Sequence, residues 1–252
     1  MSVLYITSSE EDYLQDSYLI GLRNTLGDRL IDFPKKDLVY KSSEKNNSEI
    51  YGLGFTIYKK LEDIQIDRKD CLSKIRDYEL IIFSSIWRQK SIFFRMLPSI
   101  VFGRKKVVFF DGEDFNKIFY WALPFGRYYK RERRRKLISW LTCPISFTIP
   151  QSQIRHNPLL KKKSFAIHNQ CEISYDIEEV RTNCRSSYAF DEEVAYYEDL
   201  ASSKYGFTKK KGGWDCLRHY EIAANGSVPL FYDFESKPLT CAPHGLIDTR
   251  NM

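Results

Sequence analysis

Closely spaced cysteine pairs and long apolar runs are both missing from this chain of 252 residues. Its six cysteines, Cys71, Cys143, Cys171, Cys184, Cys216 and Cys241, are scattered and form no C-x-x-C pair. Structural zinc and thioredoxin-like redox centres rely on such spacing, so both are poor readings and reduced thiols are the expectation. No segment approaches the roughly 18 consecutive apolar residues of a membrane span. Met1–Ser9 also lacks a basic region followed by an apolar stretch, so ordinary secretion is not expected. The expected location is cytoplasmic, with peripheral membrane contact left open. The four histidines, His156, His168, His219 and His244, fall at no metal-ligand spacing, and no internal repeat is visible.

What is present is enough to bury a core: 43% of residues are hydrophobic, 15% aromatic and 29% charged. The formal charge is +6, and its location matters more than its size. Between Arg127 and Lys136 stand seven basic residues and one acid, Glu132, so ten positions carry the whole excess. A uniformly basic coat for nucleic acid is excluded, whereas a local basic feature is not. The run reads most simply as a solvated helix face in a connection between domains. An anionic membrane surface, nucleic acid or an anionic acceptor glycan are its functional alternatives.

Short β-rich apolar runs alternate with helical patterns. Val3–Ile6 reads as a strand, followed by apolar residues at helical spacing from Asp12 to Leu26, with Gly27 as the stop. Glu79–Phe83 and Lys106–Phe110 read as fully buried strands flanking a helix near Ile92–Val101. Such alternation indicates a parallel sheet covered on both faces. After the basic run, Ile145–Ile149, Ser164–Ile167, Tyr205–Thr208 and Val228–Tyr232 are strand candidates, with helices over Asp191–Ser202 and Trp214–Ala224. Pro144, Pro150 and Pro158 cluster at a boundary. The expectation is an α/β protein with two Rossmann-like halves facing a cleft. An acceptor-side domain spans 1–142 and a nucleotide-sugar-binding domain spans 143–252.

The stretch from Tyr205 to Glu235 carries the chemistry. Lys209, Lys210 and Lys211 precede Gly212 and Gly213 where a helix is expected to begin, so backbone N–H groups and the helix dipole would face an anion. Arg218 and Glu221 lie three residues apart on one helix face, with Trp214 and Asp215 a turn earlier. A forked cation suits phosphate and a carboxylate suits sugar hydroxyls. The plain alternative is a core helix with a surface Arg–Glu pair.

Lys211 to Ile222, followed by Gly226 and Val228-Pro229, resembles the donor-binding segment of exostosin-like glycosyltransferases, which have the GT-B fold. The pattern is Arg, two residues, Glu, a short spacer, Gly, an apolar residue and Pro, and the likeness covers about 45 residues, from Tyr196 to Pro238. The resemblance implies that Arg218 contacts the donor diphosphate and Glu221 holds the ribose. Enzymes of that fold end in a long helix crossing onto the N-terminal half. This chain stops at Met252 without one, so a short or truncated C-terminal half is expected.

Such an inverting transfer needs a base for the acceptor hydroxyl. Asp111 and Glu113, directly after the Lys106–Phe110 strand, are the candidates; a turn at Asp111-Gly112 with Asp114 as a helix cap is the plain reading. The expected donor site comprises Lys211, Gly212, Gly213, Trp214, Asp215, Arg218, His219 and Glu221, with no metal and no further cofactor. The donor would be a UDP- or GDP-linked sugar, and the acceptor a glycan or glycoprotein. Nucleic acid is not an expected partner. The alternative function is a non-catalytic protein that binds nucleic acid or an anionic membrane through residues 127–136. Gly52-x-Gly54, within Tyr51–Thr56, lacks the third glycine of a dinucleotide fingerprint and reads as a turn before a helix near Ile57, with lining of the acceptor side as the alternative.

Overall fold

A computed structural model describes residues 2–156, 160–167, 188–231 and 234–243. Expectations placed on Pro158, His168, Cys171, Cys184, Tyr232, His244 and the C-terminal residues lie outside these. Among the described residues the fold is α/β, with one six-stranded and one three-stranded sheet, both wholly parallel.

The first sheet uses β1 (Val3–Ile6), β2 (Leu30–Phe33), β3 (Leu80–Phe83), β4 (Lys106–Asp111), β5 (Arg127–Lys130) and β6 (Cys143–Pro144), in the order β2-β1-β3-β4-β5-β6. Helix α1 (Tyr13–Leu26) joins β1 to β2, and Asp12 caps it by accepting from the N–H groups of Leu14 and Gln15. Gly27 ends it at φ 59, a conformation a side chain would resist. Helix α2 (Lys90–Phe102) joins β3 to β4, and the short α3 (Lys136–Leu141) joins β5 to β6. Side-chain alternation explains why the strands are apolar throughout. Leu4, Ile6, Ile81, Phe83, Val107 and Phe109 face one core with α2 and α3, while Val3, Tyr5, Ile82 and Phe110 face another with α1.

Here the Arg127–Lys136 run departs from the helical expectation. Its first four residues form β5, with Tyr128 and Lys130 buried, and only Lys136 enters a helix. Two adjacent tyrosines favour a pleated, half-buried surface over a solvated helix. The β4–β5 register sets Lys130 opposite Asp111, so the lysine is buried against a carboxylate 2.8 Å away.

The second sheet consists of β7 (Lys163–Phe165), β8 (Ser203–Thr208) and β9 (Val228–Phe231) in the order β7-β8-β9. Helices α4 (Glu193–Ser202) and α5 (Leu217–Ala224) precede and follow β8. Three local expectations change. Residues 145–149 are not a strand; Ile145, Phe147 and Ile149 pack on the α1 side of the first sheet instead. No helix starts near Ile57, because Thr56 and Lys59 adopt φ 74 and φ 57, left-handed values incompatible with helix. Helix α5 begins at Leu217 rather than Trp214, for a reason that lies in the site.

Candidate functional site

The carboxyl ends of both sheets border one cleft of about 390 Å³. From the first sheet come Asp12 and Tyr13 after β1, Arg88 after β3, Glu113 after β4 and Arg131 after β5. From the second come Lys211, Gly212, Gly213 and Asp215 after β8, with Cys216, Leu217, Arg218 and Glu221 of the α5 start. Open α/β sheets bind ligands at this edge, because helix N-termini and loops converge there. Of the residues anticipated from the sequence, Glu113, Lys211, Gly212, Gly213, Asp215, Arg218 and Glu221 line the cleft; Asp111, Trp214 and His219 do not.

Asp111 is held as a structural anion. Its Oδ2 accepts from Trp87 Nε1 at 2.8 Å and Tyr128 Oη at 2.5 Å, and its Oδ1 accepts from Lys130 Nζ at 2.8 Å and the Glu113 N–H at 3.2 Å. With four donors and a side chain sealed from solvent, it has no free face toward an acceptor hydroxyl. Glu113 differs. It is partly exposed at the cleft wall with Arg88 Nε 3.5 Å away. Burial raises its pKa above the ordinary glutamate value, partly opposed by Arg88. A carboxylate shifted in that direction is better matched to general-base work near neutrality.

Glu132, the lone acid in the basic run, organises the opposite wall. Its fully buried carboxylate accepts from the Trp214 N–H at 2.6 Å and the Asp215 N–H at 3.2 Å, while Arg131 and Arg134 pair with it. Two of the amides expected to face an incoming anion are thus already occupied by this carboxylate. The same bonds hold Trp214 and Asp215 outside the helix, Cys216 is extended, and α5 starts only at Leu217. The glycines serve this close approach. A Cβ on Gly212 would collide with the Asp114 carboxylate, and one on Gly213 with Glu132 Oε1. Arg131, cradled by the Gly112 and Asp215 carbonyls and by Asp114, ties the first sheet to this loop.

Asp215 reaches the cleft but is engaged within the fold, its oxygens accepting from Tyr220 Oη and the Phe147 N–H. Trp214 stacks on Phe231. His219 is buried toward the second sheet. Its Nε2 lies 3.0 Å from the Trp214 carbonyl and its Nδ1 2.7 Å from Thr208 Oγ1, so the neutral ring donates at Nε2 and accepts at Nδ1. Burial lowers its pKa to about 4. Contact between His219 and a donor phosphate, an expectation of the sequence, is therefore not how this side chain is placed.

The cleft edge of α5 retains the anticipated pair. Glu221 accepts from Tyr196 Oη at 2.7 Å and from Thr56 Oγ1, and burial raises its pKa against these bonds and the charge of Arg218. Each oxygen keeps lone-pair capacity for another donor. Arg218 lies beside Tyr196 and Glu221. Arg88 was not singled out from the sequence. The Tyr51–Thr56 loop was read as a turn that could line the acceptor side; Tyr51, Gly52 and Phe55 do line the cleft, and Leu53 and Thr56 take positive φ there.

Comparison with protein families, curated proteins and solved structures yields no significant match.

Proposed function

We propose that this cleft binds a nucleotide diphosphate sugar and passes the sugar to a hydroxyl of a glycan acceptor, as in a GT-B-like, exostosin-like glycosyltransferase. The observation carrying the reading is convergence. Arg218, Glu221 and the start of α5 border the same cleft as Glu113, though they come from different sheets and lie about a hundred residues away in sequence. Arg218 and Lys211, with the α5 N-terminus, neutralise the diphosphate. Glu221 receives ribose hydroxyls. Glu113 takes the proton of the acceptor hydroxyl while its oxygen bonds the anomeric carbon. The carbon–oxygen bond to phosphate breaks on the opposite side, the diphosphate leaves with the electron pair, and configuration inverts.

A thermal-shift series tests the binding step. A nucleoside diphosphate at about 100 times its dissociation constant is expected to stabilise the protein by about 2.7 kcal/mol. That gain should vanish in Arg218→Ala and Glu221→Ala. Absence of stabilisation by every nucleoside diphosphate and nucleotide sugar tried would overturn the proposal.

A further inference from the structure

A second surface stands apart from the cleft. Strands β3, β4, β5 and β6 are consecutive neighbours in the sheet, all parallel, so their right-handed crossovers lie on one face. That face is the layer of α2, the 115–126 segment and α3, joined beneath by one core that includes Phe93, Phe119 and Ile138. Phe94 of α2 packs on Phe119 with ring centroids 5.9 Å apart, so helix and segment are contiguous.

The outer side of this layer combines two features that a water-facing surface has no reason to combine. Phe94, Phe102, Tyr120, Trp121, Leu137 and Trp140 are all exposed, with Phe102 at 84%, Trp121 at 70% and Trp140 at 81%. Two of the chain's four tryptophans are therefore largely in solvent on the same layer. Interspersed with them are exposed Arg95, Arg104, Lys117, Arg135 and Lys136. From Lys90 to Phe110 there is no acidic residue, and from Phe115 to Leu141 the sole acid is Glu132, which is fully buried. Among the described residues, exposed acids border the layer at Asp70 and Asp77, in the segment against α2, and at Asp114 and Glu79.

We infer that this layer docks peripherally on an anionic lipid bilayer. Tryptophan, tyrosine and phenylalanine partition to the headgroup level, where an apolar ring is buried while a polar edge stays wet. Lysine and arginine at the same height meet anionic headgroups and can snorkel to them. A protein partner would need a large acidic face with deep apolar pockets, whereas a bilayer accepts scattered rings at uneven heights. Among the described residues no helix is long and apolar enough to cross a membrane, so the contact is superficial. The inference stands independently of the chemistry in the cleft.

Vesicle flotation of the full chain tests it, comparing phosphatidylcholine vesicles with phosphatidylcholine–phosphatidylserine vesicles. Binding is expected to the anionic vesicles, to weaken as salt rises, and to shift tryptophan emission to the blue. The double variant Arg135→Ala/Lys136→Ala should bind about thirty-fold more weakly, at roughly a fivefold loss per cation. Trp121→Ser/Trp140→Ser should lose binding at least as strongly, whereas Leu239→Ala, an exposed leucine outside the layer, should bind as wild type. Circular dichroism and melting establish that each variant is folded. Equal binding to both vesicle types, or unchanged binding in both double variants, overturns the inference. So does binding of short duplex DNA in place of vesicles, or a dimer that the tryptophan variants abolish in a protein that ignores vesicles.

Discussion

Two carboxylates two positions apart have opposite fates because one side chain points into the sheet and the other out of it. Asp111 ends β4 and meets Lys130, Tyr128 and Trp87 inside; Glu113 has passed the strand end and reaches the cleft wall. Removing the charge of Asp111 would leave Lys130 buried without its counter-ion. Asp111→Asn is therefore expected to lose about 3 to 5 kcal/mol of stability in urea unfolding. Glu113→Gln should unfold almost as wild type yet lose about 100-fold to 10,000-fold in transfer rate. In the wild type the rate should rise with pH through a pKa above the ordinary glutamate value, and the variant should show no such rise. The reverse pattern, with Asp111→Asn stable and inactive, would return the base to Asp111. Sequence position alone made both residues candidates; hydrogen-bond saturation separates them.

At the scale of elements, the Gly-Gly loop and the basic run form one unit. Glu132 sits immediately after Arg131 and supplies the acceptor for two loop amides, so the 129–134 backbone and the 211–216 loop are mutually dependent. Glu132→Ala would orphan both N–H groups and leave Arg131 with one partner fewer, at an expected cost of about 3 to 5 kcal/mol. Hydrogen exchange gives the sharper readout. The amides of Trp214 and Asp215 should lose protection in Glu132→Ala before the β8 amides do, and retained protection would show that Glu132 is not their anchor. Periodicity located the strands at Glu79–Phe83 and Lys106–Phe110 and the helix after Asp12 within a few residues, because those runs are apolar and locally self-consistent. It misplaced the start of α5 and took β5 for helix, because in both cases a partner distant in sequence decides. Glu132 holds Trp214 out of the helix, and Asp111 stabilises Lys130 in a strand.

For the molecule as a whole, acid stability should carry the mark of His219. Its native pKa, about 4, lies below the value of about 6.5 for an unfolded histidine. Between those values the unfolded chain binds the proton and the native state does not, so stability rises with pH across that window and is fully present above it. The accumulated loss on going from pH 7 to 4 is about 3 kcal/mol. Asp16, buried in α1 with its pKa raised to about 6, acts in the opposite sense: its native carboxyl holds a proton that the unfolded chain releases, so its contribution falls as pH rises from about 4 to 6. Comparison with His219→Gln isolates the histidine, since the amide can still donate to the Trp214 carbonyl. The variant's stability should be flatter than wild type over that range by about 3 kcal/mol, and parallel curves would refute the assignment.

The order of short apolar strands and amphipathic helices, hence two parallel sheets, was determined by the sequence itself, since burial on both faces requires continuous apolar strands wherever the sheet forms. The Arg218–Glu221 pair was likewise legible, because three residues of helix fix a common face without outside help. Tertiary structure alone decided which charges are available. It buried Lys130, Arg131 and Glu132 within a run that reads as uniformly solvated, and it turned His219 away from the cleft. It also collected exposed aromatics and cations from three separate crossovers onto one face. Charge and hydropathy are local quantities along a chain, whereas solvation and pairing are set by neighbours that only folding brings within a few ångströms.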